Sequence, residues 1–292
     1  MDGREAAAAL RAQLRQRVEG LRARGVVPTL AIVQADRDER TRAYVHAKQQ
    51  AAKEIGVEVQ VREFDPTLSV ETLGQTLRET IERLNDERSV HGILLQLPLP
   101  EGVDADELLN AIDPRKDVDG LTATNQAALE TGRELLVPAT PLGILRLLET
   151  YGVSVAGATV AVIGQGLVVG KPLAFMLRSR GATVRTADAE TPDLRAVTRG
   201  ADIVVSATGQ PGLITDDLLD ANVVLIDAGL AEVGTSLMGD TTSEAQAKAR
   251  LGTPIRGGVG PMTVASLLGN VVLAAEYQSL MSTDMEGRGA GH

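Results

Sequence analysis

Apolar positions along this chain follow two rhythms. From Glu5 to Arg24 they recur at Leu10, Leu14, Val18 and Leu21, the three-to-four spacing of one helix face. Gly25 stands where a helix C-cap belongs. Leu30 to Gln34 is a short continuous apolar run, the pattern of a buried strand, and a charged turn over 36–40 separates it from a second helix running from near Thr41 to about Gly56. Val57 to Arg62 alternates as a strand, and Val70 to Asn85 returns to the helical spacing. Val90 to Leu97 is a buried strand that ends in Pro98-Leu99-Pro100. A short helix is predicted over Asp104–Ile112 and a turn-rich loop over Asp113–Gly120. This alternation of strands and helices predicts one α/β layer unit before residue 140.

The second half repeats the alternation. Thr140 and Pro141 read as N-cap and first position of a connecting helix. Thr159–Ile163, Ala182–Ala187, Ala201–Ala207 and Val223–Ala228 read as strands, near-continuous in apolar residues as in a parallel sheet covered on both faces. Thr253 to Thr263 is an unusual loop feeding a helix over Val264–Tyr277, and the polar, glycine-rich 282–292 is expected to be a flexible tail. The expected architecture is two α/β domains with a cleft between them, the second a Rossmann-like doubly wound parallel sheet. Residues 1–139 with 264–281 would form one domain, and 140–263 the other.

The most informative stretch is the turn after Thr159–Ile163. Glycines stand at 164, 166 and 170, and an apolar helical start follows from Pro172. A strand, a glycine turn and a helix form the first half of a dinucleotide-binding unit, because glycines let backbone N–H groups approach a pyrophosphate at the positive helix end. The spacing is one residue longer than the usual G-x-G-x-x-G, so by itself it fits either a dinucleotide site or a glycine-rich turn with no ligand.

Composition narrows the classes. Of 292 residues, 43% are hydrophobic and 23% charged, as in ordinary globular chains. A formal net charge of −10 argues against nucleic-acid binding, which needs a basic surface. With no cysteine, neither disulfides nor thiolate metal sites are available, and His46, His91 and His292 are too scattered for a metal cluster. The start lacks an apolar signal core and no uninterrupted apolar run reaches membrane-spanning length, so a cytoplasmic enzyme without membrane partners is expected.

The first half also offers chemistry: Tyr44, Lys48, Gln96 and Asp119. Tyr44 and Lys48 are four apart and share a helix face. Gln96 lies near the carboxyl end of its strand, where open α/β sheets bind ligands. A lysine in a dry site has a lowered pKa and can shuttle protons; an amide can hold it, and a carboxylate can grip the donor edge of a nitrogen heterocycle. Each also has a plain reading, a solvated helix charge for Lys48 and a turn former for Asp119.

Five pieces, taken in order, carry a resemblance. They are Tyr-Val-His-Ala-Lys (44–48), Gln-Leu-Pro-Leu-Pro (96–100), Lys-Asp-Val-Asp-Gly (116–120), Thr-Pro-x-Gly (140–143) and Gly-Gly-Val-Gly-Pro-Met-Thr (257–263). Through them nearly the whole chain resembles the bifunctional methylenetetrahydrofolate dehydrogenase/methenyltetrahydrofolate cyclohydrolase family. The resemblance implies oxidation of 5,10-methylenetetrahydrofolate with a nicotinamide cofactor, then hydrolysis to 10-formyltetrahydrofolate, within one-carbon metabolism and purine biosynthesis. It implies that Tyr44 stacks on the aminobenzoyl ring, that Lys48 moves the cyclohydrolase protons, that Gln96 sets the state of Lys48, and that Asp119 binds the pterin edge. It further implies folate contacts at Leu95, Leu97, Gly257, Gly258, Gly260, Pro261 and Thr263, cofactor contacts at Gly164, Gln165, Gly166, Gly170, Thr208, Gly209 and Leu230, no metal, and a homodimer.

Departures from the family bear on the cofactor. Its Gly-Arg-Ser is Gly164-Gln165-Gly166 here, its Val-Gly is Ala35-Asp36, and its Pro-Ala-Ser is Glu39-Arg40-Thr41. Gln165 has no charge to meet a 2′-phosphate, and Asp188 follows the next strand near the ~20-residue interval at which an acid receives the ribose 2′-hydroxyl. NAD is therefore favoured over NADP. Two other readings stay open: a two-domain NAD(P) dehydrogenase for a small acid, and a non-catalytic homologue that senses dinucleotide.

Overall fold

The structure, a computed structural model, describes the backbone of residues 1–35, 38–233 and 236–289, and their side chains except at 40, 232, 233 and 282–289. Asp36 and the side chain of Arg40 thus lie outside the described residues. The chain divides into two compact units.

Ala9–Ala128, Glu134–Val137 and the chain from Leu267 onward make the first unit. It holds α1 (Gly3–Arg22) from Ala9 on, β1 (Thr29–Gln34), α2 (Glu39–Ile55), β2 (Glu58–Glu63), α3 (Val70–Asp86), β3 (Gly92–Leu95), α4 (Ala105–Asn110) and α5 (Ala123–Glu130) as far as Ala128. The strands form a parallel sheet of order β2-β1-β3, with Leu30 opposite Val59 and Gly92. Central β1 is buried throughout, which is why it reads as an apolar run, whereas β2 alternates because it is a half-covered edge. Leu73, Leu77, Ile81 and Leu84 of α3 pack on Ala31, Val33, Ile93 and Leu95. Ser69 and Asp104 cap α3 and α4 by accepting from the N–H of Thr72 and Glu107.

Two features of this unit differ from the expectation. Strand β3 ends at Leu95, so Gln96 sits just beyond it, its N–H on the Val33 carbonyl at 2.9 Å. Helix α5 has weak helical patterning; its start is marked only by Thr122, which accepts from the Asn125 N–H.

The second unit comprises Met1–Ala8, Leu129–Arg133 and Pro138–Ser266. It holds α6 (Ala139–Thr150), β4 (Thr159–Ile163), α7 (Gly170–Ser179), β5 (Thr183–Ala187), α8 (Leu194–Thr198), β6 (Ile203–Ser206), β7 (Val224–Asp227), β8 (Ala231–Val233), β9 (Ser236–Met238), α9 (Ser243–Lys248), β10 (Leu251–Gly252) and the start of α10 (Val259–Gly289). The main sheet is parallel, of order β10-β7-β6-β4-β5, while β8 and β9 form a separate antiparallel hairpin. From β4 the chain crosses to β5 on one side and returns to β6 on the other. That reversal is a topological switch point, the place where doubly wound sheets bind ligands.

Several boundaries correct the sequence reading. The first residues, expected in the first domain, cluster with the second: the Gly3 N–H donates to the Gly257 carbonyl at 2.7 Å. Thr140 is not an N-cap; α6 starts two residues earlier than expected, at Ala139 after Pro138. The loop expected over 253–263 is already helical from Val259, because Pro261 fits a first helical turn, where an N–H has no partner. At its other end α10 runs on to Gly289, past the Ser282 start of the expected tail; residues 290–292 lie outside the described residues. The hairpin, α9 and β10 are too short for periodicity to register. Val259–Met281 is long and apolar enough to cross a membrane, yet it is mostly buried, as a core helix is.

Candidate functional site

In the first unit, packing converts a turn into a site. Gly92 of β3 has no Cβ, and one there would lie 2.5 Å from Val118 Cγ1. The segment 116–119 can therefore lie along β3, with the Ile93 N–H on the Lys116 carbonyl at 2.7 Å and Asp117 bridging Ile93. Buried Asp117 is held by the Thr122 N–H at 2.8 Å and Asn125 Nδ2 at 2.9 Å.

Lys48, Gln96 and Asp119 come together here. Lys48 Nζ donates to Gln96 Oε1 at 2.7 Å, and Gln96 Nε2 donates to the Leu97 carbonyl at 2.7 Å. The second bond orients the amide so that its oxygen faces the lysine. Burial lowers the Lys48 pKa, partly opposed by the charge of Asp119. Burial also pushes the Asp119 carboxyl up to about 6, with nearby Asp117 adding to the rise and Lys48 reducing it. The result is an amine and a carboxyl both drawn toward their neutral forms, as in sites that move a proton. Tyr44, one turn before Lys48 on α2, is 48% exposed and free to offer its ring face. Leu97 is half-buried, while the Leu95 side chain is 2% exposed and belongs to the core, which leaves only its backbone for a ligand.

The second unit carries the glycine turn. Gly164 has φ of +94°, and a Cβ there would stand 2.5 Å from the Ala207 carbonyl oxygen; one at Gly170 would stand 1.8 Å from that of Gly164. These two glycines let β4, the end of β6 and α7 close on one another. Among the described residues, a Cβ at Gly166 would meet nothing within 4 Å, so the turn is open to a ligand beside the N-terminus of α7. The turn thus fits a dinucleotide pyrophosphate. Thr208 and Gly209 follow β6, and Leu230, 43% exposed, follows β7. Gly257, Gly258, Gly260, Pro261 and Thr263 belong to this same unit, with Thr263 Oγ1 on Thr140 Oγ1 at 3.2 Å.

Two family models match the chain: tetrahydrofolate dehydrogenase/cyclohydrolase, catalytic domain, over residues 1–119, and its NAD(P)-binding domain over 138–279. The chain belongs to the tetrahydrofolate dehydrogenase/cyclohydrolase family. It is similar to the bifunctional protein FolD of an Exiguobacterium species, at 41% identity over 94% of this chain and 98% of that one. Among solved structures, the bifunctional FolD dehydrogenase/cyclohydrolase of Campylobacter jejuni superposes with a TM-score of 0.90 at 34% identity, covering 94% of this chain and 98% of that one. The Trypanosoma brucei FolD, solved with NADP cofactor and inhibitor, gives a TM-score of 0.88 at 33% identity over 95% and 97% of the two chains. In the tetrahydrofolate dehydrogenase/cyclohydrolase frame, the glycine turn falls in the NAD(P)-binding domain and the Lys48 cluster in the catalytic domain.

Sequence reasoning missed the residues that support these sites. Asp117 and Asn125 brace the Asp119 segment, and Ser206, Asp227, Asp240 and Thr241 form a buried polar assembly beyond β6 and β7. The available signal was a charged residue closing an apolar strand, as Asp227 does.

Proposed function

We propose that this chain oxidises 5,10-methylenetetrahydrofolate with a nicotinamide dinucleotide and hydrolyses the product to 10-formyltetrahydrofolate, with Lys48 as the proton carrier. The observation that carries the reading is the Lys48–Gln96 bond beside a raised Asp119. When bound, the nicotinamide ring accepts the hydride of the methylene carbon. Hydrolysis adds water to the methenyl carbon and breaks its bond to N5, with net release of one proton. Lys48, its pKa lowered, takes a proton from the attacking water and returns one to N5 as that bond breaks. Gln96 fixes the amine in place through both steps. Asp119 holds the amino-pyrimidine edge, and Tyr44 covers the aminobenzoyl ring. Gly257 to Thr263 supply further folate contacts.

For the cofactor, the reading is NAD. Gln165 turns its amide inward, Nε2 donating to the Gly164 carbonyl at 2.8 Å and that of Val162 at 3.3 Å, away from any 2′-phosphate. Arg185 is occupied with the Arg199 carbonyl at 2.5 Å. Exposed Asp188 accepts the Glu190 N–H and Thr191 hydroxyl on Oδ1, each at 3.1 Å, which leaves Oδ2 to receive a ribose hydroxyl. A carboxylate there repels a phosphate of like charge. A cytoplasmic homodimer is carried over from the family resemblance.

Turnover of methylenetetrahydrofolate, followed at the methenyl absorbance, tests the reading. Methenyl should accumulate with dinucleotide and then decay to the formyl product. A protein that binds dinucleotide but forms no methenyl compound with either cofactor is instead a sensing homologue.

A further inference from the structure

Beyond β6 and β7 lies a buried assembly that the reaction above does not use. Asp240 is 0% exposed, and its Oδ2 accepts from the Ser206 hydroxyl and the Thr208 N–H, each at 2.7 Å. Its Oδ1 has no partner among the described residues, and a Cβ built on Gly229 would stand 1.9 Å from it. Its own N–H reaches Asp227 Oδ1 at 3.1 Å. Asp227 in turn accepts from the Gly229 N–H at 3.2 Å and from the N–H and hydroxyl of Thr241 at 2.9 and 2.6 Å. Asp240 therefore ties the turn after β6 to the turn after β7, and its contact with the first is made to the backbone of Thr208 itself.

A buried carboxylate with one oxygen unpartnered is a costly way to stabilise a loop, since a neutral acceptor could make the same two bonds. Its charge does strengthen and shorten the bond to Thr208 N, stiffening one turn at the sheet's switch point. We propose that Asp240 is a positioning residue for the nicotinamide dinucleotide, holding the Ser206–Gly209 turn in the shape that receives it. This rests on the reading that Thr208 and Gly209 contact the dinucleotide. Asp240, fully buried, would act on the dinucleotide through this turn rather than by direct contact.

The experiment is titration of the protein with NADH and NADPH by fluorescence, alongside KM and kcat for the better oxidised cofactor. Asp240→Ala should weaken dinucleotide binding and raise its KM by about tenfold or more, with kcat at saturation kept within about threefold. Asp240→Asn, whose carbonyl oxygen can accept both bonds without the charge, should recover part of the affinity. Ser206→Ala removes one of the two bonds and leaves Thr208 held, so it should weaken dinucleotide binding less than Asp240→Ala does. If Asp240→Ala does not fold, Asp240→Ser carries the test, being small, polar and too short to reach Thr208. An alanine or serine variant that binds both dinucleotides within about twofold of wild type overturns the role of Asp240. So does loss of kcat and stability that asparagine does not rescue, since that is a structural part only. Gly209→Val separates the two readings: if it too binds normally, the turn is not a cofactor contact at all.

Discussion

Lys48 and Gln96, 48 residues apart in the chain, meet at 2.7 Å through Nζ and Oε1. Because the Gln96 amide is oriented by the Leu97 carbonyl, its oxygen is committed to the lysine. A proton carrier needs this kind of fixed address, and methionine at 48 keeps the length of the side chain without the proton. Lys48→Met is expected to stay folded by circular dichroism and to lose cyclohydrolase activity by about 10²–10⁴-fold, the usual worth of a positioned acid–base group. A folded variant that hydrolyses the methenyl compound near the wild-type rate removes Lys48 from the mechanism.

Asp119→Ala is expected to weaken folate binding and to leave dinucleotide binding nearly unchanged, since Asp119 and the glycine turn belong to different units. A lost charge-assisted hydrogen bond is worth about 1.5–3 kcal/mol, hence roughly tenfold or more in folate affinity. Calorimetry with both ligands decides it, and equal losses would make Asp119 a structural residue.

The raised Asp119 pKa also sets a pH dependence of stability. Between the ordinary value of 3.8 and about 6 the native carboxyl holds more proton than the unfolded one, so stability falls as pH rises through that window. Asp119→Asn removes the penalty. The variant should exceed wild type by on the order of 1–3 kcal/mol above pH 7 and match it below about pH 4, by urea unfolding. The same offset at both pH values would mean that the carboxyl is not perturbed by burial.

Initial rates should give a higher kcat/KM with NAD than with NADP, and Asp188→Ser should narrow the ratio. The warrant is the inward Gln165 amide and the exposed Asp188 carboxylate. A higher kcat/KM with NADP overturns the assignment.

Asn270, buried on α10, donates through Nδ2 to the carbonyls of Val118 and Val137, both at 2.8 Å. Asn270→Ala strands two buried carbonyls beside the Asp119 segment. A loss of roughly 2–4 kcal/mol is expected from chemical denaturation, with weaker folate binding in step. A variant as stable as wild type would show that water replaces the amide there.

By itself the sequence determined most of the longer elements and the class of the protein. The 3–4 spacing of Leu73, Leu77, Ile81 and Leu84 and the apolar runs at Leu30 and Val160 follow from burial on one helix stripe or on both faces of a parallel sheet, and burial of that kind is periodic along the chain. The glycines at 164 and 170 were legible because close backbone approach excludes any Cβ. Only the tertiary structure decided that Met1–Ala8 joins the second unit, that β4 lies between β5 and β6, and that Asp240 holds Thr208. It also decided that Lys48 and Asp119 are drawn toward neutrality. Desolvation and hydrogen bonds between residues tens of positions apart depend on what packs around a group, and no local pattern of apolar and polar residues encodes that.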